Sequence, residues 1–294
     1  MIELIKIKEL FHFITRQIKE NKRFIKIHLS EKSNPDRELT FLRSLCHILD
    51  KGLNSIDFEK GHSRKVFSEA KKLSDKLYIS YKNDLSYQWC NTILSEYEIA
   101  QETNIRKKQN NKFHLFSEQE RLFFLNSIKE RVSCRNFTGK KIEQEILKQI
   151  VETAIDAPTG CCRQTVHYYI TQDINILTKI IPHIAGITCF SKIPCLVFVT
   201  SYVGAYDLKD INLQYIDTAL SAENFVLTAR AFNLFTTICN MFHATEDDIK
   251  IIKQTLKIPF NENIILAITM GYVDEIPNKP VRMSPSNILN IVNE

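Results

Sequence analysis

The spacing of apolar positions divides the chain into two regions. Over the first hundred residues, apolar side chains recur every three or four positions, which places them on one face of a helix. A polar stretch without periodicity follows at 101–112 and predicts a linker. We therefore expect a helical N-terminal extension and linker over 1–112 and a second domain over 113–294. The four predicted helices have stripes that begin at Leu4, Leu39, Val66 and Leu85.

Residues typical of helix ends support several of these boundaries. The run Asn34-Pro35-Asp36 offers an N-cap, a proline at the first helical position and an acid in the first turn. Gly52 lies where that helix is expected to end, and Ser63 is the expected N-cap of the next one. Ser117 and Glu120 have the spacing of a capping box, which predicts a helix with Leu122, Leu125 and Ile128 on its apolar face.

The second region alternates between helical and β-rich segments. Short apolar runs predict strands at 166–170, 194–200 and 263–269. Helical periodicity predicts helices at 143–157, 174–184 and 211–235, the last of them central because it is apolar on most sides. The expected fold class is α+β, with a mixed sheet flanked by helices and preceded by an all-helical region.

Composition narrows the possible partners. The net charge of +5 is mild, so it is compatible with phosphate-bearing ligands and gives no reason to expect a nucleic-acid partner. No apolar run approaches the ~20 residues that cross a bilayer, and charges interrupt the N-terminus, so we expect a cytoplasmic protein without a membrane partner. The eight cysteines are scattered, without the spacing of a metal site, and are expected to be reduced thiols.

Two polar clusters carry the candidate chemistry. Arg131, Ser133 and Arg135 alternate along one segment, so in an extended conformation they point the same way and could grip one phosphate. The alternative is a solvated surface turn. The second cluster, 157–164, is a Pro/Gly turn that ends in Cys162, Arg163 and Gln164 just before a predicted strand. Together, the two clusters suggest a site for an anionic, planar cofactor.

The order of these markers resembles the nitroreductase-like family of FMN flavoproteins. Arg131-x-Ser133-x-Arg135-x-Phe137 after a short helix is similar to the family's opening motif. Residues 157–165 are similar to its Ala-Pro-Ser-x-x-Asn-x-Gln-Pro signature, and 217–224 to the start of its central helix. Gly271-Tyr272, followed by Lys279 and Arg282, is similar to its final strand and basic pair.

The resemblance implies a fold, a cofactor and a reaction. It implies that FMN takes hydride from NAD(P)H at the flavin N5 and passes it to a small-molecule electron acceptor, with no catalytic side chain. It also implies a homodimer, because the family builds its flavin site between two subunits. The residues expected to bind the cofactor are Arg131, Ser133, Arg135, Cys162, Gln164, Lys279 and Arg282.

Three departures from the family pattern leave a second function open. Cys162 replaces an asparagine that bonds the flavin's polar edge, and Thr165 replaces a proline. Phe235 places a ring where the family has glycine. The alternative is therefore a catalytically silent protein of the same fold that binds a flavin or another nucleotide in a structural or regulatory role.

Three smaller patterns have competing interpretations. His47 to Leu53 is similar to a His-x-x-Glu-Lys-Gly-Leu signature of a subgroup with an N-terminal extension, but Lys51 and Gly52 also fit a plain helix C-terminus. Cys134, between two arginines, is a candidate for a thiol of lowered pKa. The basic first helix is expected to pack on the core, with a membrane surface as the alternative.

Overall fold

A computed structural model describes residues 2–31, 34–55, 58–105 and 113–292. The predicted linker residues 106–112 lie outside the described residues. The helices are α1 (Ile2–Ser30), α2 (Pro35–Asn54), α3 (Arg64–Tyr81), α4 (Leu85–Thr103), α5 (Glu118–Glu130), α6 (Gln144–Ala154), α7 (Ile174–Ile180), α8 (Leu213–Ala231) and α9 (Glu246–Leu256). The strands are β1 (Val166–Thr171), β2 (Cys195–Tyr202), β3 (Phe235–Asn240) and β4 (Glu262–Gly271).

Helices α2, α3 and α4 build a core of their own. Most residues of their predicted stripes pack into this core, among them Leu42, Leu49, Leu77 and Ile93, whereas Leu85 at the start of α4 is 81% exposed. The predicted cap of α2 is confirmed, because the side chain of Asn34 accepts a hydrogen bond from the Asp36 amide. The division of the chain into two domains near residue 112 stays a prediction.

Two of the predicted helix ends are wrong in detail. Helix α2 continues through Gly52 to Asn54, so Gly52 is not its C-cap. A Cβ at Gly52 would lie 3.1 Å from the ring of His62, so this glycine allows the ring to approach the helix closely. Ser63 precedes α3 with φ of 58° and makes no capping bond through its side chain. The helix therefore begins without the predicted N-cap interaction.

The four strands form one sheet in the order β1-β2-β4-β3, and each neighbouring pair is antiparallel. A mixed sheet requires parallel pairing as well. Such pairing occurs in two isolated β-bridges, which join Ser133 to Thr236 and Asn136 to Ser191. The sequence predicted three of the four strands and missed β3. Asn233, with φ of 56°, ends the central helix early, and Phe235 then opens β3.

Helices cover both faces of this sheet. On β2, Leu196 and Phe198 face α7 and α9, whereas Val197 and Val199 face α6 and α8. Strand β2 is buried along its whole length, which explains its apolar run from Cys195 to Val199. The α+β class is confirmed. Helix α9 was not predicted, and its capping box at Thr245 and Asp248 was the available signal.

Only the second half of α1 packs on the core among its described side chains. Phe24 and Ile27 are buried against Val203 and Tyr206. Phe11, Ile14 and Ile18 continue the stripe that begins at Leu4 and was expected to face the core, but they are 73%, 46% and 49% exposed. Leu4 and Ile7 lie outside the described side chains. Within the described part of the chain, no helix is long and apolar enough to span a membrane.

Candidate functional site

The segment after α5 lies along the edge of the sheet and presents alternate residues to solvent. Arg131 is the C-cap of α5, and Ser133 pairs with Thr236 of β3. The amide of Cys134 donates to the Thr236 carbonyl at 3.2 Å, and Thr237 Oγ1 donates to the Cys134 carbonyl at 2.7 Å. This pairing makes the segment extended, as predicted, and turns Arg131 and Ser133 away from the core.

Arg131 and Ser133 line a pocket of about 270 Å³ with Glu223, Val226, Thr236 and Ile238. Arg135 lines a different pocket of about 460 Å³, and its guanidinium carbon lies 5.9 Å from the centre of the Phe190 ring. A single chain thus brings two of the three predicted phosphate ligands together. The convergence of Arg135 on the same ligand stays a prediction.

Burial governs the chemistry of Cys134. The residue is 1% exposed, and this burial raises the pKa of its thiol despite the positive charges of Arg230, Arg135 and Arg131. The lowered pKa that a nucleophilic thiol requires is therefore not found, and that interpretation was wrong. Cys134 serves as a small core side chain under the polar segment.

Sequence reasoning missed two residues beside this segment. Glu223 and Arg230 lie seven positions apart on α8, a spacing that places them on one face of the helix. The Arg230 guanidinium lies 4.2 Å from the centre of the Phe235 ring. Its Nε is buried, and no hydrogen-bond partner for it occurs among the described residues. An unpaired buried donor, whose charge reaches Cys134 of this segment, is suited to an anionic ligand.

The second cluster forms a strained turn. Cys161, Cys162 and Gln164 have φ of 52°, 55° and 53°, a left-handed conformation that non-glycine residues rarely adopt. Each such residue costs about 1–3 kcal/mol, and outliers of this kind cluster at ligand sites. Gln164 Nε2 donates to Cys162 Sγ at 3.3 Å, so the two predicted ligands interact with each other.

Buried polar contacts from three sides hold this turn. Asp217 of α8, 1% exposed, accepts the Gly160 amide at 2.8 Å and the Tyr206 hydroxyl at 2.9 Å. From α2, Arg43 donates to the Arg163 carbonyl through Nε at 3.1 Å and a terminal nitrogen at 2.6 Å. Arg163 itself pairs with Asp210 at 2.9 Å. Helix α2 of the N-terminal region therefore helps to fix the backbone of the candidate site.

Thr165 has a role that the family's proline could not fill. Its hydroxyl hydrogen-bonds with Tyr206 and lies 3.3 Å from the Ser201 hydroxyl. Phe235 is 6% exposed and belongs to the core on the α7 and α9 face of the sheet. Thr165 and Phe235, which both depart from the family pattern, are thus accommodated in the interior of the protein.

The end of β4 packs against the segment that follows Arg131. The predicted basic pair lies beyond β4 in the chain. A Cβ at Gly271 would come within 2.6 Å of Pro194 Cγ and 3.0 Å of the Phe137 ring, so glycine is required. Thr138 donates its amide to the Tyr272 carbonyl at 2.9 Å. Lys279 and Arg282 lie in an exposed C-terminal segment. Their approach to Arg131 stays a prediction.

Comparisons with known proteins agree with this arrangement. The sequence profile described as Nitroreductase family matches residues 128–188 and 188–272. A Methanothermobacter thermautotrophicus protein, whose name proposes an NADH dehydrogenase/NAD(P)H nitroreductase, is 21% identical over 176 residues, or 60% of this chain and 90% of that protein.

Two solved structures share the fold over more than half of this chain. An FMN-dependent nitroreductase from Clostridium difficile R20291 is 18% identical, with a TM-score of 0.50 over 56% of this chain and 98% of its own. A nitroreductase-like protein from Streptococcus mutans is 19% identical, with a TM-score of 0.52 over 59% of this chain and 100% of its own. Residues 128–272 contain both motif segments and the whole sheet, and with this part the chain belongs to the nitroreductase family.

Proposed function

We propose that this protein is an FMN-dependent NAD(P)H oxidoreductase that reduces a small-molecule electron acceptor. The observation that carries the proposal is the pocket lined by Arg131 and Ser133, with the unpaired Nε of Arg230 nearby and a strained turn before β1. The names of the relatives, one FMN-dependent and one NAD(P)H-linked, support the same cofactor and reductant. When bound, FMN supplies the hydride-accepting group.

The residues of this chain would bind and orient the cofactor. Arg131 and Ser133 would hold the phosphate with a fork of donors and a hydroxyl, and Arg135, Lys279 and Arg282 would join them in the assembled protein. Gln164 and Cys162 would face the ring or the ribityl chain. No side chain needs to act as acid or base, so the protein contributes position, charge and exclusion of water.

The proposal includes a homodimer with the flavin between the subunits. Helix α5 buries none of its side chains, and Leu122, Phe123, Phe124, Leu125 and Ile128 are 41–77% exposed. The C-terminal segment also exposes apolar residues, with Val281 97% and Val292 93% exposed. Soluble monomers rarely expose apolar surface on this scale, so a second copy is the expected cover.

We also propose that the protein works in the cytoplasm. All eight cysteines are free thiols, and two of them, Cys161 and Cys189, are exposed to solvent. Exposed thiols persist in reducing compartments, and NAD(P)H is available there as the electron donor.

Purified protein tests the function directly. We expect a yellow protein whose flavin absorbance bleaches under anaerobic conditions when NADH or NADPH is added. Arg131→Ala should lose FMN and remain folded by circular dichroism, whereas Arg64→Ala, an exposed arginine on α3, should retain it. A colourless protein that does not bind added FMN would contradict the proposal.

A specific observation favours the silent alternative as a second candidate. Cys162 has a thiol where the family motif has an amide, and its Sγ already accepts a hydrogen bond from Gln164 Nε2. A protein that binds FMN and is not reduced by NADH or NADPH would support this alternative over the enzyme.

A further inference from the structure

A second cavity lies away from the candidate flavin site. It measures about 950 Å³ and lies between the second half of α1, helix α9 and the turn that leads into β4. This volume is at the upper end of the range for small-molecule sites. Its lining includes Arg23 and Lys253 and contains none of the residues assigned to FMN. The cavity is therefore a separate feature of the molecule.

Apolar side chains form much of its surface. Met241, Ile258 and Ile264 are 4–6% exposed and form the floor, and Ile249 joins them from α9. The aromatic ring of Phe260 stands at the edge, 58% exposed, with the Arg23 guanidinium 5.7 Å from its centre. A ligand with an apolar body can bury its surface here.

The polar part of the lining is strongly basic. It contains six cationic side chains and two carboxylates, a formal excess of four positive charges. One of the carboxylates, Glu246, already pairs with Lys19 at 2.9 Å. The cations are Lys19, Lys22, Arg23, Lys250, Lys253 and Lys257. Such an excess favours an anionic group on whatever occupies the cavity.

Lys253 and Arg23 are both bonded to the turn that leads into β4. The Lys253 ammonium donates to the carbonyls of Pro259 at 3.2 Å, Phe260 at 3.4 Å and Glu262. Arg23 donates to the carbonyls of Phe260 at 3.3 Å and Glu262 at 3.0 Å, so two cations share the same backbone turn. Burial first, and then the charge of Arg23, lower the pKa of Lys253 to about 7, against the attraction of Glu262.

We propose that this cavity, between α1 and α9, binds a small amphipathic anion, an apolar chain or ring that ends in a carboxylate or a phosphate. The floor of Met241, Ile258 and Ile264 holds the apolar body, and the lysines of α9 meet the charged end. Ammonium groups act as point charges without the planar fork of a guanidinium, so either head group fits them.

Titration calorimetry on the full-length protein tests this site. Dodecanoate, dodecyl phosphate and dodecanol are compared below their micelle concentrations. We expect at least one anion to bind at least tenfold more tightly than the neutral alcohol, and the two anions distinguish carboxylate from phosphate recognition. Bound FMN should stay in place during the titration, because the two sites are separate.

Charge variants locate the anion. Lys250→Glu reverses an exposed lysine of the lining and should weaken binding about tenfold, an effect of about 1.4 kcal/mol. Lys72→Glu, an exposed lysine on α3, is the matched control and should bind as the wild type does. Lys253→Met should also weaken binding. If it fails to fold, Lys257→Glu takes its place.

Three results would overturn the proposal. The first is no binding of either anion at millimolar concentration. The second is equal affinity for dodecanol and the anions, which would show an apolar cavity that ignores charge. The third is unchanged affinity in both Lys250→Glu and Lys257→Glu, which would place the anion elsewhere. A protein that lacks FMN and still binds the anion through Lys250 would contradict only the flavin function.

Discussion

Asp217 holds the strained turn of the candidate site, and its removal should show how much that turn depends on tertiary contacts. Its two carboxylate oxygens accept the amide of Gly160 and the hydroxyl of Tyr206 from opposite sides. The turn that follows Gly160 contains three left-handed residues, Cys161, Cys162 and Gln164. We predict that Asp217→Ala lowers the free energy of unfolding and weakens FMN binding at the same time.

The expected size follows from these two contacts. A hydrogen bond to a charged group contributes about 1.5–3 kcal/mol. The hydroxyl of Tyr206 keeps its contacts with Thr165 and Ser201, and water can reach the half-buried Gly160, so both losses fall at the lower end. We therefore expect a total loss of about 3 kcal/mol. Without its anchor, the turn is free to leave the left-handed region and move Gln164.

Urea denaturation at neutral pH measures the stability, and fluorescence titration measures FMN affinity. Asp217→Asn keeps the shape and one acceptor oxygen and turns an amide NH₂ towards the other donor, so we expect it to lose part of the stability. Asp75→Ala, which removes an exposed carboxylate from α3, is the control and should stay within about 0.5 kcal/mol of the wild type.

A loss below about 1 kcal/mol for Asp217→Ala would refute this reasoning, because it would show that the buried pair of bonds contributes little. Normal FMN affinity in an Asp217→Ala protein that is clearly destabilised would separate the turn from the cofactor site.

Three further predictions address other contacts. Arg43→Ala should cost about 2–4 kcal/mol and weaken FMN retention, because it removes the donors that α2 supplies to the turn; an unchanged melting temperature and flavin content would contradict this. Hydrogen bonds from Thr245 and His183 lower the pKa of Asp248 to about 2, so its stabilisation is present above about pH 4 and is lost as the pH falls towards 2. Asp248→Asn should therefore cost about 1 kcal/mol at pH 7 and progressively less as the pH falls through 2 in denaturant titrations, and a difference independent of pH would be evidence against this account. Gly271→Ala should lower the melting temperature by several degrees, since its Cβ would lie 2.6 Å from Pro194, and a neutral effect would show that the loop yields.

Local sequence signals were sufficient for most of the fold. Helices α2 to α5 and strands β1, β2 and β4 were predicted because their apolar periodicity and caps are properties of adjacent residues. Strand β3 was missed because the apolar pattern of α8 runs on into it, and only the left-handed Asn233 marks the break. Phe11, Ile14 and Ile18 show the opposite limit: their helical spacing is clear, yet they are 46–73% exposed.

The same distinction between local sequence signals and tertiary contacts applies to the candidate site. The sequence by itself determined the α+β class, the order of the motifs and the extended segment that carries Arg131 and Ser133, because these depend on neighbours in the chain. Only the tertiary structure brought Arg230 and Glu223 beside that segment, placed Asp217 and Arg43 under the strained turn, and put Arg135 on a separate pocket. Such contacts join residues far apart in the chain, and their geometry is decided by how helices and sheet pack, for which local periodicity carries no signal.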